Sequence, residues 1–351
     1  MMIDKINNSQ YKDALNLDVL VTTQTDIKEG VPRRVNHILI TGKCNSKCIF
    51  CFSRKELVKE HFSIDIINKI MQKQFDSGCK ILVLSGGEPT IHPNFIKIIS
   101  NAKSIGYQHI RVITNGRMFA YKQFLKDSIN GGLDEATISI HSHKPKVQDY
   151  LSGVKGSFEQ ALKGIRNCIL SSLDTKINIV VNKKNIKSLK DTIAFFNKIG
   201  IKRIGLLRIM PYGRAWKNKN CLFYNHYDNI KYLNNALAFS RQNKVDILAN
   251  RFDLELFKDY PEFMQHPFKF VNEVESKIDE FRALAKKGKE LFCYPERCDF
   301  CFLGNFCKEL HEENNKIRKG IKTKNNIRYM DNDNLINPLK FAGYYTKRFI
   351  Q

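Results

Sequence analysis

Six short runs rich in β-branched and other apolar residues punctuate the first 210 residues: NHILIT (36–41), KILVLS (80–85), HIRVIT (109–114), EATISI (135–140), KINIVV (176–181) and RIGLLRI (203–209). Each run is nearly continuous, which is what a parallel strand covered on both faces requires. Between them the period changes. IDIINKIMQKQF (64–75) and LKDTIAFFNKIG (189–200) place Ile, Leu and Phe three and four apart, so each forms a helix with one apolar face. Gly78, Gly106 and Gly200 stand where such helices end, ahead of the next run. The alternation predicts an α/β fold made of successive βα units around a parallel sheet.

The pattern also divides the chain. Residues 1–35 form a polar lead-in, 36–215 carry the βα units, and 216–292 lose the strand pattern and read as mixed helices and loops broken by Pro261 and Pro267. A cysteine-rich segment at 293–311 and a basic tail at 312–351 complete the division. No stretch approaches the roughly eighteen apolar residues of a membrane span, and the polar start has no apolar signal region, so a cytoplasmic protein is expected. The formal net charge of +23 comes mainly from Lys scattered through every segment, without a reader motif for nucleic acid, so no nucleic-acid partner is expected. Ten cysteines change the picture more, because seven fall into two tight clusters. Clustered thiols in a large chain without a secretion signal point to metal rather than disulfides.

In GKCNSKCIFCFS, Cys44, Cys48 and Cys51 follow the first strand directly, so a loop at the strand's carboxyl end presents three thiols. Parallel-sheet proteins keep their chemistry at that end. Three ligands leave one corner of a four-iron cluster open, whereas a structural zinc site asks for a fourth ligand. Zinc or redox thiols remain the alternative for this spacing taken alone. One βα unit later, the second strand ends in Ser85, Gly86, Gly87, Glu88 and Pro89. Paired glycines let backbone approach a ligand closely, and a carboxylate there accepts hydrogen bonds.

The two motifs together resemble the radical S-adenosylmethionine (SAM) superfamily, with C-x3-C-x2-C, an aromatic residue (Phe50) before the last cysteine, and GGE at the end of strand two. The resemblance implies a partial (β/α)6 TIM-like barrel with a small C-terminal Cys-rich cluster-binding extension. It implies a [4Fe-4S] cluster on Cys44, Cys48 and Cys51 that binds SAM and, given an electron from a reductase, flavodoxin or ferredoxin, cleaves it to a 5′-deoxyadenosyl radical. Phe50, Gly86, Gly87, Glu88, Pro89, Ser139 and Asn182 are its implied SAM contacts. Thr114 and Asn115 at the third strand end serve either SAM or a turn. His141, His143 and Arg214 are expected to be turn or surface residues.

Cys293, Cys298, Cys301 and Cys307 follow as C-x4-C-x2-C-x5-C, interleaved with Phe300, Phe302 and Phe306. Alone, this reads as structural zinc. Beside the barrel motifs it resembles the SPASM or twitch extension, which implies one auxiliary [4Fe-4S] cluster, with Zn2+ as the alternative. His311 stands where that extension has a further cysteine, which argues against a second auxiliary cluster. Cys79, Cys168 and Cys221 are expected to be buried small side chains.

The extension is commonest among peptide and protein maturases, so a peptide or protein substrate is expected, with a small-molecule substrate as the alternative and a non-catalytic zinc protein that binds RNA as the rival from another class. About 35 residues precede the barrel, fewer than the winged-helix leader-peptide reader of many maturases needs, so any leader is expected to dock elsewhere. The chain ends Phe349, Ile350, Gln351, without the paired glycines that mark the pterin-forming cyclase.

Overall fold

The computed structural model describes residues 21–28, 31–51, 60–264, 267–275, 295–321 and 337–347, together with Ile278, Phe281 and Met330. By compactness the chain divides into two units, residues 2–247 and 248–351.

The first unit is built on one sheet whose strands follow chain order. Six of them are parallel: β2 (Val31–Thr41), β3 (Ile81–Gly86), β4 (His109–Thr114), β5 (Glu135–Ser139), β6 (Asp174–Val181) and β7 (Arg203–Arg208). Helices return the chain between them, chiefly α1 (Ile64–Asp76), α2 (Phe95–Ile105), α3 (Lys122–Asn130), α4 (Pro145–Ser152), α5 (Ser157–Leu170) and α6 (Leu189–Lys198). Parallel strands need such crossovers, and the result is a partial (β/α)6 barrel with an open sheet. All six strands lie where the apolar runs place them.

Two further strands correct the sequence reading. The lead-in contains β1 (Val21–Lys28), antiparallel to β2 with Val21 opposite Ile38. Its Thr residues count as polar in a hydropathy pattern yet favour extended backbone, which hides the strand. After the short helices α7 (Gly213–Lys217) and α8 (Lys219–Leu222) and the longer α9 (Ile230–Gln242), β8 (Asp246–Asn250) lies inside the stretch read as helices and loops. Five residues with buried Ile247 and Ala249 are too few to show a period.

The sheet's two faces differ in chemistry, whereas the sequence suggested apolar cover on both. Ile38 and Ile40, Leu82 and Leu84, Ile110 and Val112, Ala136 and Ile138, Ile177 and Ile179, Ile204 and Leu206 are at most 1% exposed. They alternate along their strands and so share one face, which the helices cover with residues such as Ile67, Ile70, Phe95, Ile99, Ile165 and Phe196. Burial of each large side chain there contributes about 1.5–3 kcal/mol. Gly106 ends α2 with φ at 111°, a left-handed cap that lets the chain turn directly into β4.

The opposite face is polar near the amino ends of the strands. Glu135 opens β5, and Arg111 and Lys176 are the third residues of β4 and β6. The Glu135 carboxylate meets Arg111 Nε at 2.8 Å, Lys176 Nζ at 2.6 Å and His109 Nε2 at 3.2 Å. Next along the sheet, His37 Nε2 and Ser85 Oγ are 2.5 Å apart. Burial, with Arg111 nearby, lowers the His37 imidazole to about 4, so it is neutral at physiological pH. Burial alone would raise Glu135, but the His109 hydrogen bond and the charges of Lys176 and Arg111 outweigh it and hold the carboxyl well below its ordinary value of 4.5.

In the second unit, helices α10 (Pro267–Glu275), α11 (Gly304–Arg318) and α12 (Pro338–Lys347) gather an aromatic core. Phe306 is fully buried, with the rings of Phe270, Phe281, Phe341 and Tyr345 centred 5.5–5.7 Å from it. The contacts to Phe270, Phe281 and Tyr345 are edge-on, a geometry that adds about 0.5–1.5 kcal/mol each beyond area burial. Among the described residues no helix is long and apolar enough to cross a membrane.

Because the folded-state value of Glu135 is depressed, its contribution to stability is complete above its ordinary value and declines as pH falls below it. Glu135→Gln is expected to destabilise the protein by about 3 kcal/mol at neutral pH, leaving Arg111 and Lys176 without their counter-charge. Urea midpoints at about pH 7 and about pH 4 check this, since the variant loses less stability on acidification than the parent.

Candidate functional site

The loop 42–51 leaves β2 and carries Cys44, Cys48 and Cys51, all half-buried thiols. Its backbone is held from three sides. Lys47 and Ile49 donate their N–H groups to the Ser152 and Leu151 carbonyls at the end of α4, at 2.8 and 2.9 Å. Arg214 N–H donates to the Cys51 carbonyl at 2.9 Å, and Asn218 Nδ2 to that of Ile49 at 3.1 Å. From the end of β4, Asn115 Nδ2 reaches Asn45 Oδ1 and Arg117 Nη1 reaches the Asn45 carbonyl, both at 2.6 Å. A loop tied at this many points keeps its thiols in place before any ligand arrives.

The fourth side is β3. Gly87 N–H donates to the Thr41 carbonyl at 2.7 Å and Glu88 N–H to that of Lys43 at 2.8 Å. A Cβ on Gly86, whose φ is 131°, would lie 2.2 Å from the Thr41 oxygen, and one on Gly87 2.0 Å from the Lys43 oxygen. The close approach expected of these glycines is therefore to the cysteine loop itself. Glu88 is likewise engaged within the protein. Its Oε1 accepts from Thr90 N–H (3.1 Å), Thr90 Oγ1 (2.5 Å) and Thr114 Oγ1 (2.6 Å), and its Oε2 from Asn115 N–H (2.7 Å). Burial raises the carboxyl, and these four donors counter the rise. Pro89 is buried beside it.

Thiolates this near one another disfavour each other's ionisation. Burial first, then the proximity of Cys44 and Cys51, pushes the Cys48 thiol up to about 12, while Arg214 works in the opposite direction. Arg214, expected at the surface, is half-buried, and its Nη2 is enclosed without a hydrogen-bond partner among the described residues. Crowded thiols and an enclosed guanidinium fit a cationic centre carrying an anionic ligand, because iron would take the thiol protons' place and leave Arg214 an acceptor to bind. Among the described residues no three His, Cys, Asp or Glu side chains converge on a single metal-ion position. A four-iron cluster makes a different demand, one thiolate for each protein-bound iron.

Phe50 meets the edge of the His141 ring, with centroids 4.5 Å apart at 79°. His141 Nδ1 accepts from Val180 N–H at 3.1 Å, and burial lowers the imidazole to about 3, so the ring is neutral with its proton on Nε2. His143, by contrast, bonds Thr192 Oγ1 at 2.9 Å, away from Phe50. Ser139 is half-buried at the end of β5. Asn182 is fully buried and closes the turn after β6, donating to the Val180 carbonyl and accepting from Lys184 N–H, both at 2.9 Å. Sequence reasoning missed Asn45, Ser46, Arg117 and Asn218 as supports of the loop, because a polar residue in a turn carries no signal of its distant partner.

In the second unit, Cys298 and Cys301 lie on the turn Pro295–Phe300 and just after it, and Cys307 lies in the first turn of α11, all half-buried. Backbone bonds of 3.0 Å from Cys301 to Cys298 and from Gly304 to Cys301 wind the segment tightly. Cys293 lies outside the described residues. His311 follows Cys307 by one helical turn; its Nε2 is 2.9 Å from Asn315 Nδ2, and its Nδ1 is buried without a hydrogen-bond partner among the described residues. Cys79 and Cys168 are buried as expected, and burial pushes Cys168 up to about 12. Cys221 is half-buried instead, with Sγ 3.3 Å from the Asn218 carbonyl.

Residues 38–196 match the family model of the Radical SAM superfamily. Among curated proteins, the chain is 31% identical over 193 residues to a probable GTP 3′,8-cyclase of Sulfolobus acidocaldarius, covering 54% of this chain and 59% of that protein. It is 26% identical over 217 residues to a probable GTP 3′,8-cyclase of Sulfurisphaera tokodaii, covering 61% and 66%. The matches thus span about three-fifths of those relatives' length. Among solved structures, SuiB of Streptococcus suis bound to S-adenosylmethionine superposes with a TM-score of 0.53 at 17% identity, over 68% of this chain and 54% of that one. SuiB bound to its precursor peptide SuiA gives 0.52 at 16%, over 65% and 50%. At such identity the likeness is one of fold.

Gly87→Ala is expected to cost about 2–3 kcal/mol, because the methyl group must displace the Lys43 carbonyl. The urea midpoint should fall, and so should the iron retained after anaerobic reconstitution. Glu88→Gln should cost about 1–3 kcal/mol, since an amide NH2 beside the Asn115 N–H sets donor against donor, whereas hydroxyls can rotate. Thermal unfolding of the two proteins side by side checks this.

Proposed function

We propose that this chain is a radical SAM enzyme, a reading supported by the match of residues 38–196 to the Radical SAM superfamily model, that Cys44, Cys48 and Cys51 hold a [4Fe-4S] cluster with one iron left open to SAM, and that the enzyme abstracts hydrogen from a peptide or protein side chain. The observation that carries this reading is the loop itself: three thiols on one short loop, pinned by backbone bonds at the carboxyl end of the first parallel strand, beside the Arg214 guanidinium, whose enclosed Nη2 has no hydrogen-bond partner among the described residues. When bound and reduced, the cluster supplies the electron that cleaves SAM to methionine and a 5′-deoxyadenosyl radical.

The chain's own residues do the positioning. Arg214 Nη2 offers a donor to the SAM carboxylate, and the strand end at Gly86–Glu88 offers backbone to its amino group. Phe50, backed by His141, gives an apolar surface for the adenine, while Ser139 and the turn at Asn182 border the ribose side. We take residues 36–215 as the catalytic core, 216–292 as a connector, and 293–311 as the holder of one auxiliary [4Fe-4S] cluster on Cys293, Cys298, Cys301 and Cys307. The spacing of those cysteines supports the peptide or protein substrate. A second reading, a small-molecule substrate, is favoured by the similarity to probable GTP 3′,8-cyclases. A reductase, flavodoxin or ferredoxin supplies the electron.

Anaerobically reconstituted protein with SAM and dithionite is expected to form 5′-deoxyadenosine, detected by chromatography, and Cys48→Ala to form none. Persistence of the product in that variant overturns the assignment. Cys301→Ala should keep this uncoupled cleavage and bind about four fewer irons per chain. Stimulation of 5′-deoxyadenosine formation by a peptide encoded beside the gene, and not by GTP, supports the peptide reading; the reverse supports the small molecule.

A further inference from the structure

The cysteine loop is flanked by a predominantly basic surface. Across residues 143–156, 182–191 and 214–220 the chain carries nine Lys and one Arg against two Asp, whereas the whole chain has 58 basic to 35 acidic residues. Of the two, Asp149 is committed to the N–H groups of Gly156 and Phe158 and to Ser157 Oγ, and Asp191 lies in the first turn of α6. The three stretches form one surface. The α4 end holds Lys47 and Ile49 of the loop, Asn218 holds Ile49 as well, Lys183 N–H donates to the Leu222 carbonyl at 2.8 Å, and Lys183 Nζ reaches that of Asn220 at 3.4 Å. Lys47, Lys155, Lys183, Lys184, Lys217 and Lys219 are all exposed.

We propose that this lysine face is where an acidic one-electron donor protein docks, a proposal that rests on the cluster assignment above. The donor would be oxidised by one electron and the cluster held by Cys44, Cys48 and Cys51 reduced by one, with no atom transferred. A concentrated positive field next to the acceptor speeds encounter with an acidic partner and orients it. Two features favour a protein over RNA. The cations are almost all Lys, point charges rather than the planar forks that read phosphate and base edges. The exposed ring of Tyr150 and the ring of Trp216 already carry Lys184 and Lys219 over their faces, at 5.4 and 4.5 Å, where bases would have to stack.

The test is the triple variant Lys155→Glu, Lys184→Glu, Lys219→Glu in the full reconstituted chain, with 5′-deoxyadenosine formation driven either by dithionite or by a reduced acidic flavodoxin. The proposal expects an unchanged rate with dithionite and about a tenfold fall with flavodoxin at low salt, a difference that shrinks as ionic strength rises. An unchanged flavodoxin rate overturns it, as does an equal fall with dithionite, which would mark a structural lesion. If the variant keeps the flavodoxin rate but loses salt-sensitive binding of mixed transfer RNA, the face belongs to RNA and the proposal fails. Absence of product from the parent protein with dithionite is a separate failure, that of the cluster assignment itself.

Discussion

The site depends on an interlock of backbone. The end of β3 lies so close to the cysteine loop that no Cβ fits at Gly86 or Gly87, and two N–H groups from that strand end close on the carbonyls of Thr41 and Lys43. A short loop bearing three thiols that would repel one another once ionised cannot hold a compact shape through its side chains alone. Its shape is imposed by neighbours that bond its peptide groups. Glu88 extends the interlock sideways, because its carboxylate binds the end of β4 through Thr114 and Asn115, and Asn115 in turn holds the loop.

This arrangement changes the physical meaning of a familiar-looking motif. Two glycines and a glutamate after a strand read as a ligand cradle, and the structure shows them first as a joint between strand ends. The two roles are compatible, since a peptide group pinned by one partner still presents its other side to a ligand. They have different consequences for substitution, however. Side chains introduced at the glycines strike protein, so loss of fold precedes loss of binding.

Much of the architecture was legible from periodicity alone. All six parallel strands lie where β-branched runs stand between helical segments, because a strand covered by helices on one face must bury every second residue. What stayed hidden was hidden for physical reasons. The strand at Val21–Lys28 is built on Thr, which forms strands without registering as apolar, and the strand at Asp246–Asn250 is too short to display a period. The polar positions of the opposite face were masked because single residues such as Arg111 and Lys176 interrupt runs that still look apolar. At the site, the three cysteines and the strand-end glycines were evident from spacing. The supports were not: Asn45, Arg117 and Asn218 find their partners up to 169 positions away in the chain, and only the fold brings those pairs together.

The carboxylate held by Arg111, Lys176 and His109 lies toward the amino ends of the strands, while the thiols lie beyond the carboxyl ends. Resilience and reactivity are thereby stationed at opposite poles of the same sheet. Loops at the reactive pole can lengthen, shorten or exchange residues without loosening the charged keystone beneath them. Such a scaffold can be retuned to new molecules over evolutionary time while its foundation stays as it is.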